Sequence, residues 1–344
     1  MQLRGEPFVD VVRGGAVESV HHIAACAADA RGRVLLEMGS IETPVFLRSS
    51  AKPFIAAAVL RSGARERFGL EPHEIAVMAG SHTGQDFHVA AVRSILQKIG
   101  MDESALQCGV HAPYNAAAAQ QLERDGAEPT VLSNNCSGKH AGILALCILL
   151  GADTNTYLEL ANPAERNILE LCARLSDQQV DDFILAVDGC GIPVYATPLH
   201  NAAISFARLA TLERTEERDA AALAAVRDAM VAHPEFVSGT GEFDSELMRI
   251  AGGGLACKAG AEGVHATASM RKELGLVVKV VDGASRGRAP AVLALLHELS
   301  VLDAHEMAQL QAFARPIGYN RAGRAIGEVR TADRFIAVEK ARKL

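Results

Sequence analysis

Short runs rich in Val, Ile and Leu open the chain at residues 8–14, 20–28, 33–38 and 44–47, separated by turn signals such as Gly14-Gly15 and Arg31-Gly32. Runs of this length between glycine turns predict antiparallel strands. The pattern then changes period. Ala51-Lys52-Pro53-Phe54-Ile55-Ala56-Ala57-Ala58-Val59-Leu60 predicts a helix with Ser49 or Ser50 near its N-cap. Pro53 falls in the first turn, where a missing N–H costs no helical hydrogen bond. Residues 70–232 predict mostly helix, best over 86–99, 115–124, 139–150, 162–175 and 215–232. A short strand at 183–187 leads into the turn Asp188-Gly189-Cys190-Gly191. After Gly252-Gly253-Gly254, strands are predicted at 255–258, 264–269 and 275–282, a helix at 288–300 and a last strand near 335–339.

Strands at both ends around a helical middle predict an α+β fold. A mixed, mostly antiparallel sheet is built from the two chain ends, and a central helical lobe sits on it. The expected organisation is a single domain over 1–344, with a sheet lobe at about 1–47 and 250–344 and a helical lobe at about 48–249. Ligand clefts favour such seams, so the site is expected there.

Composition narrows the class. Hydrophobic residues make up 49% and charged residues 22%, as in a globular chain. A net charge of −7 with no basic block argues against nucleic acid. Residues 1–7 lack the apolar core of a secretory signal. The apolar stretch 141–152 is interrupted by glycine and falls short of the roughly 20 residues a membrane span needs. The seven cysteines are odd in number and scattered, which fits a reducing compartment better than a disulfide framework. The expected location is cytoplasmic.

Three short motifs carry the chemistry: Ser49-Ser50-Ala51-Lys52, Ser81-His82-Thr83 and Lys258-Ala259-Gly260. A Ser-x-x-Lys, a second serine and a late Lys-x-Gly, in that order, are the active-site pieces of serine β-lactamases and penicillin-binding proteins. A serine hydroxyl becomes a nucleophile when a nearby base takes its proton, and a neutral lysine is such a base. On a helix, positions i and i+3 share a face, so Ser49 and Lys52 are expected to touch. Ser50 has Pro53 at i+3, which favours Ser49. Lys258 is the expected second cation, lowering the lysine base's pKa, and Ser81 the proton relay.

Ser133-Asn134-Asn135-Cys136-Ser137-Gly138-Lys139-His140 is polar and runs into an apolar helix. It lacks the first glycine of a phosphate loop, and His140 stands where Ser or Thr would follow the lysine. Cys136 and His140, four apart, with Cys190 as a third ligand, would suit zinc. The simpler alternative is a capped helix start with an inert Cys136.

These segments, together with Arg48, Ala79-Gly80, His233-Pro234-Glu235-Phe236-Val237-Ser238-Gly239 and Ala261-Glu262-Gly263, resemble the rhizobial-type L-asparaginase II family along nearly the whole chain. The resemblance implies a serine β-lactamase/glutaminase-like fold and hydrolysis of L-asparagine to L-aspartate and ammonia. It implies two pairs, Ser49 with Lys52 and Ser81 with Lys258. It also implies a zinc held by Cys136, Lys139 and Cys190, and a homodimer. His140 and Asp188 become contacts behind the metal or to substrate, and Arg48 a partner for the substrate carboxylate. Rival readings are a glutaminase or β-lactam-directed acylase on the same scaffold, and a zinc-dependent amino-acid-binding protein without turnover.

Overall fold

The computed structural model describes residues 2–332. Eleven strands are placed among them: β1 (Glu6–Arg13), β2 (Ala16–Ala28), β3 (Val34–Met38), β4 (Pro44–Phe46), β5 (Ile184–Val187), β6 (Pro193–Pro198), β7 (Leu255–Gly260), β8 (Val264–Ser269), β9 (Leu274–Val280), β10 (Ile317–Tyr319) and β11 (Ala325–Thr331). The main sheet runs β10-β11-β1-β2-β9-β8-β7, with β3 also pairing β2. Its ladders are antiparallel. Both chain ends therefore build one sheet, and β2 joins them by pairing β1 on one side and β9 on the other. This is the α+β architecture the pattern predicts.

The strand halves facing the helices are apolar. Residues 23–28 of β2 are all fully buried, and β7, β8 and β9 are buried nearly throughout. Burial on both faces explains why these strands read as continuous apolar runs rather than alternating ones. Helix Leu199–Thr211 lies directly on this surface. A Cβ at Gly275 would stand 2.1 Å from the Ala203 carbonyl oxygen and 2.5 Å from the Ala207 nitrogen. Glycine on β9 is what lets the helix backbone approach so closely.

Several elements depart from expectation. The run at 44–47 does not join the main sheet; β4 pairs β6 in a separate three-stranded sheet ordered β4-β6-β5, within the largely helical part of the chain. Residues 193–211, expected as part of a helical region, contain β6 and then helix Leu199–Thr211. The strand expected near 335–339 lies outside the described residues; the strands that follow the last long helix are β10 and β11. The helices expected at 86–99, 115–124, 139–150, 162–175, 215–232 and 288–300 all form, with ends shifted by one or two residues. No helix among the described residues is long and apolar enough to cross a membrane.

Candidate active site

The first motif forms a tight 3₁₀ turn, Arg48–Ala51, that runs into helix Lys52–Arg61 with Pro53 in its first turn. Ser50 is fully buried and donates through Oγ to the Leu47 carbonyl at 2.6 Å, so its hydroxyl is spent on the turn itself. Ser49 is half-buried beside it. Arg48 opens the turn with φ 51°, a left-handed conformation that a residue with a side chain adopts at a cost.

The turn is pinned from behind by β7. A Cβ at Gly260 would meet the Leu47 carbonyl oxygen at 2.6 Å and the Ser50 nitrogen at 3.3 Å. The glycine of Lys258-Ala259-Gly260 thus brings the third motif against the first. Gly260→Ala is expected to cost about 1–3 kcal/mol, because backbone must move to admit the methyl group. Turnover should fall with it, since Ser49 rides on the displaced turn. A thermal melt beside an activity assay checks both, and an unchanged melt would show that the turn accommodates the methyl.

Lys52 is 1% exposed, and its Nζ sits among three oxygens: the Gly80 carbonyl at 2.6 Å, Ser81 Oγ at 2.9 Å and the Asn135 carbonyl at 3.3 Å. The serine hydrogen-bonded to Lys52 is therefore Ser81, whereas spacing alone predicts Ser49. The reason is geometric: the lysine begins its helix just as the 3₁₀ turn ends, and its long stem reaches across to the Gly80-Ser81 segment. Burial pushes the Lys52 pKa down; thiol charge at Cys136 opposes this and Lys139 adds to it.

The Ser81 segment is fastened by two other motifs. Its N–H donates to the Val237 carbonyl at 2.8 Å, and His82 N–H donates to the Asn135 carbonyl at 3.2 Å. His82 is also 2.9 Å from Ser137 Oγ through Nε2. The His233–Gly239 and Ser133–His140 segments, far apart in sequence, converge on one serine.

Lys258 lies on β7, 1% exposed. Its Nζ donates to the Ala259 carbonyl at 2.7 Å and lies 3.8 Å from Asp244 Oδ2. Burial pushes its pKa down to about 8, with Asp244 opposing and the charges of Lys52 and Arg288 assisting. Lys52 and Lys258 are thus two desolvated amines, both shifted toward the neutral form.

Lys139 Nζ meets Cys190 Sγ at 3.0 Å, and Cys136 lies near enough to Cys190, Lys52 and Lys139 for their influence to hold its thiol well below the ordinary range. Cys136, Lys139 and Cys190 are 4%, 3% and 7% exposed. Arg48 holds Asp188 Oδ1 with Nε at 2.7 Å and a terminal nitrogen at 2.6 Å. Burial raises the Asp188 carboxyl, but Lys139, the Gly189 N–H and Arg48 together bring it below its usual value. Arg48, Lys52, Lys139 and Asp188 line one narrow cavity with Glu165 and Tyr195. Wider surface depressions, such as the one lined by Arg31, Arg33, Glu213 and Lys272, hold none of these residues.

His140 is fully buried, with Nδ1 2.8 Å from the Tyr157 hydroxyl. That hydroxyl accepts from the Gln107 N–H at 2.7 Å, so its own proton goes to Nδ1 and the imidazole proton sits on Nε2. Burial, then the charges of Lys139 and Lys52, holds His140 well below its ordinary pKa and keeps it neutral.

Three residues of this region escape the sequence reading: Glu165, Asp244 and His265. Glu165 is 1% exposed and pushed up to about 8 by burial, with Lys139 opposing. As an acidic residue in the first turn of helix Pro163–Leu175, it reads in sequence as a plain helix-dipole partner. Asp244 looks the same at the start of helix Phe243–Ile250.

The α+β fold thus brings the buried Lys52 and Lys139 to one narrow cavity, with Ser81 hydrogen-bonded to Lys52. The chain belongs to the L-asparaginase II family, whose model matches residues 9–331. Comparison with curated proteins finds no match. Solved structures similar to the chain include "Mglu in its native form", at 15% identity and TM-score 0.43, covering 83% of this chain and 66% of that one. They also include Mglu "in its L-glutamate binding form in the presence of 4.3M NaCl", at 16% identity and TM-score 0.43, covering 83% and 63%. The chain thus spans slightly under two thirds of the length of these structures.

Proposed function

We propose that the protein hydrolyses the side-chain amide of L-asparagine to L-aspartate and ammonia by serine–lysine catalysis. The observation that carries this reading is the solvent-stripped Lys52 amine, hydrogen-bonded to Ser81 at 2.9 Å and three residues from the half-buried Ser49. As a neutral amine, Lys52 has two N–H groups and one lone pair. The Gly80 and Asn135 carbonyls take the N–H groups, which leaves the lone pair for a hydroxyl proton.

Ser49 Oγ attacks the amide carbon, and its proton passes to the Lys52 amine. Ser81, bonded to Lys52, relays that proton to the departing nitrogen, which leaves as ammonia. Lys52 and Lys258 bear on one another electrostatically, and a charged Lys258 favours the proton's movement away from Lys52. An aspartyl ester on Ser49 remains, and water, deprotonated along the same path, releases aspartate. Arg48 spends one edge of its guanidinium on Asp188 and keeps donors for the substrate α-carboxylate. The Asp188 carboxylate completes the polar wall of the cavity, and the neutral His140 follows Lys139 in the chain.

The donor set beside this cavity suits zinc. Two thiols and one amine come from a helix start and a glycine turn, all buried, with the amine 3.0 Å from the Cys190 sulfur. Cys136, Cys190 and Lys139 would hold it; thiolates and a neutral amine are required, so binding releases protons. Held by Cys136, Lys139 and Cys190, a zinc would supply fixed positive charge, so that these residues would tie the Asp188–Gly191 turn to helix Ser137–Leu150 and organise the pocket rather than activate the nucleophile. The double variant Cys136→Ser/Cys190→Ser is expected to lose the metal by elemental analysis and to raise KM more than it lowers kcat. Undiminished zinc in that variant would remove these residues as ligands.

A coupled ammonia assay with asparagine, glutamine and nitrocefin, with and without chelator, tests the whole reading. Asparagine turnover far above the other two supports it, and asparagine binding without ammonia release ends it. The expected assembly is a homodimer acting in the cytoplasm, checked by light scattering and by fractionation.

A further inference from the structure

Behind Lys258 the structure holds a second layer of charge. Asp244, on helix Phe243–Ile250, is 2% exposed. Its Oδ2 accepts from the Ala259 N–H at 2.6 Å and faces Lys258 Nζ at 3.8 Å. Its Oδ1 lies 3.3 Å from His265 Nε2. His265 is 1% exposed on β8, where the register sets it opposite Ala259. Its other nitrogen, Nδ1, is 3.4 Å from Thr267 Oγ1, which supplies a proton and leaves Nε2–H facing the carboxylate. The chain of partners runs Thr267, His265, Asp244, Lys258.

Resting on the reading of Lys258 as part of the proton path, we infer that Asp244 is the positioning residue of Lys258: its carboxylate, fixed by Ala259 N–H and His265, holds the lysine amine in register with the site and sets how readily it carries a proton. The groups facing Lys258 are Asp244 from helix Phe243–Ile250, Lys52 from helix Lys52–Arg61, Arg288 from helix Arg288–Glu298 and Cys257 from its own strand. Lys52 and Arg288 are cations and Cys257 is a buried thiol held far above its ordinary range by burial first and Asp244 second. Asp244 alone supplies a full opposing charge: burial raises its carboxyl, but His265, Lys258 and Arg288 together hold it well below the usual carboxylate range, so it stays ionised at every working pH. Without it, desolvation and two neighbouring cations would act on Lys258 unopposed.

Asp244, Cys257 and His265 also bring ligand atoms within 4.8 Å of one another. A metal there would meet Lys258 and Arg288, two cations already facing the carboxylate. The 3.3 Å contact between His265 Nε2 and the carboxylate accounts for the cluster without one.

The test is Asp244→Asn, which keeps the size and an acceptor oxygen for the Ala259 N–H but removes the charge. Side-chain carbon NMR of lysine-labelled protein, with Lys258 assigned by its loss in Lys258→Met, reads the titration directly and needs no turnover. The midpoint of Lys258 is expected to fall by about one pH unit or more, as removal of a full charge near 4 Å in a buried site requires. A midpoint unchanged by the substitution overturns the inference. Should the variant fail to fold, the wild-type protein still decides it: the Asp244 carboxyl carbon should show an inflection at the Lys258 midpoint, and no inflection there overturns it equally. Where the NMR midpoint falls, the ascending limb of kcat against pH should move to acid in the same direction. A limb that stays put while the NMR midpoint moves would overturn the catalytic role of Lys258 and leave the hold of Asp244 on it standing.

Discussion

Ser49→Ala is expected to lower asparagine turnover by about 10³- to 10⁶-fold, the range seen when an essential nucleophile is removed. The fold should not follow. The 3₁₀ turn is held by Ser50 N–H and Ser50 Oγ, which both donate to the Leu47 carbonyl, so the Ser49 hydroxyl is free of that duty. The melting temperature should stay within about 3 °C of wild type, as for substitutions that remove no buried contact. Ser81→Ala makes the contrast. Its hydroxyl is the one hydrogen-bonded to Lys52, so its loss breaks the proton relay while leaving the proposed nucleophile in place. That variant should be slow yet still form a covalent aspartyl adduct on Ser49, visible by mass spectrometry after peptide digestion. Ser49→Ala should form none. An adduct on Ser81 in the Ser49→Ala protein would reverse the two assignments while keeping serine–lysine chemistry.

The reversal is a real alternative because spacing misjudged this pair. Ser-x-x-Lys spacing places two residues on one face but does not decide which hydroxyl the amine bonds. Here Ser49 belongs to a 3₁₀ turn, Lys52 is the first residue of the α-helix, and the lysine amine bonds Ser81. Local pattern reported the motif and missed the break inside it. The gathering of Cys136, Lys139 and Cys190 was legible through family resemblance, since 51 residues separate the amine from the sulfur it touches. No residue pattern announces Asp244 or His265. One looks like a helix-start acid, and the other becomes a neighbour of Lys258 only through the β7–β8 register.

The fold was legible for a similar reason in its outer strands and obscure elsewhere. Glycine turns frame β1 to β3, and long apolar runs mark β7 to β9. Segment 193–211 has no such frame: β6 passes into helix Leu199–Thr211 with only Pro198 between the two kinds of backbone. β10 and β11 are largely exposed or half-buried, so neither a buried run nor a clean alternation marks them.

The second large effect concerns pH. Burial, opposed by Asp244 and assisted by Lys52 and Arg288, holds Lys258 down to about 8. Burial also lowers Lys52. A lysine that must accept a proton works only when neutral, and a depressed pKa makes it neutral above that value. The sign is therefore fixed: at saturating asparagine, where chemistry limits the rate, kcat should rise from pH 6 to 9 and level off above about pH 9, roughly one unit past the Lys258 midpoint. The two lysines repel each other and titrate as a coupled pair, so the limb belongs to both. Lys258→Met removes one cation. Lys52 then loses a repulsion that favoured its neutral form, and the remaining limb should move to higher pH on top of a rate loss of about 10²-fold or more. Lys258→Arg keeps the charge but cannot become neutral below pH 12. It should share the rate loss and leave the remaining limb closer to the wild-type position. A flat wild-type profile between pH 6 and 9, or a limb unmoved in Lys258→Met, would take the neutral lysine out of the mechanism and leave the buried pair as electrostatic scaffolding.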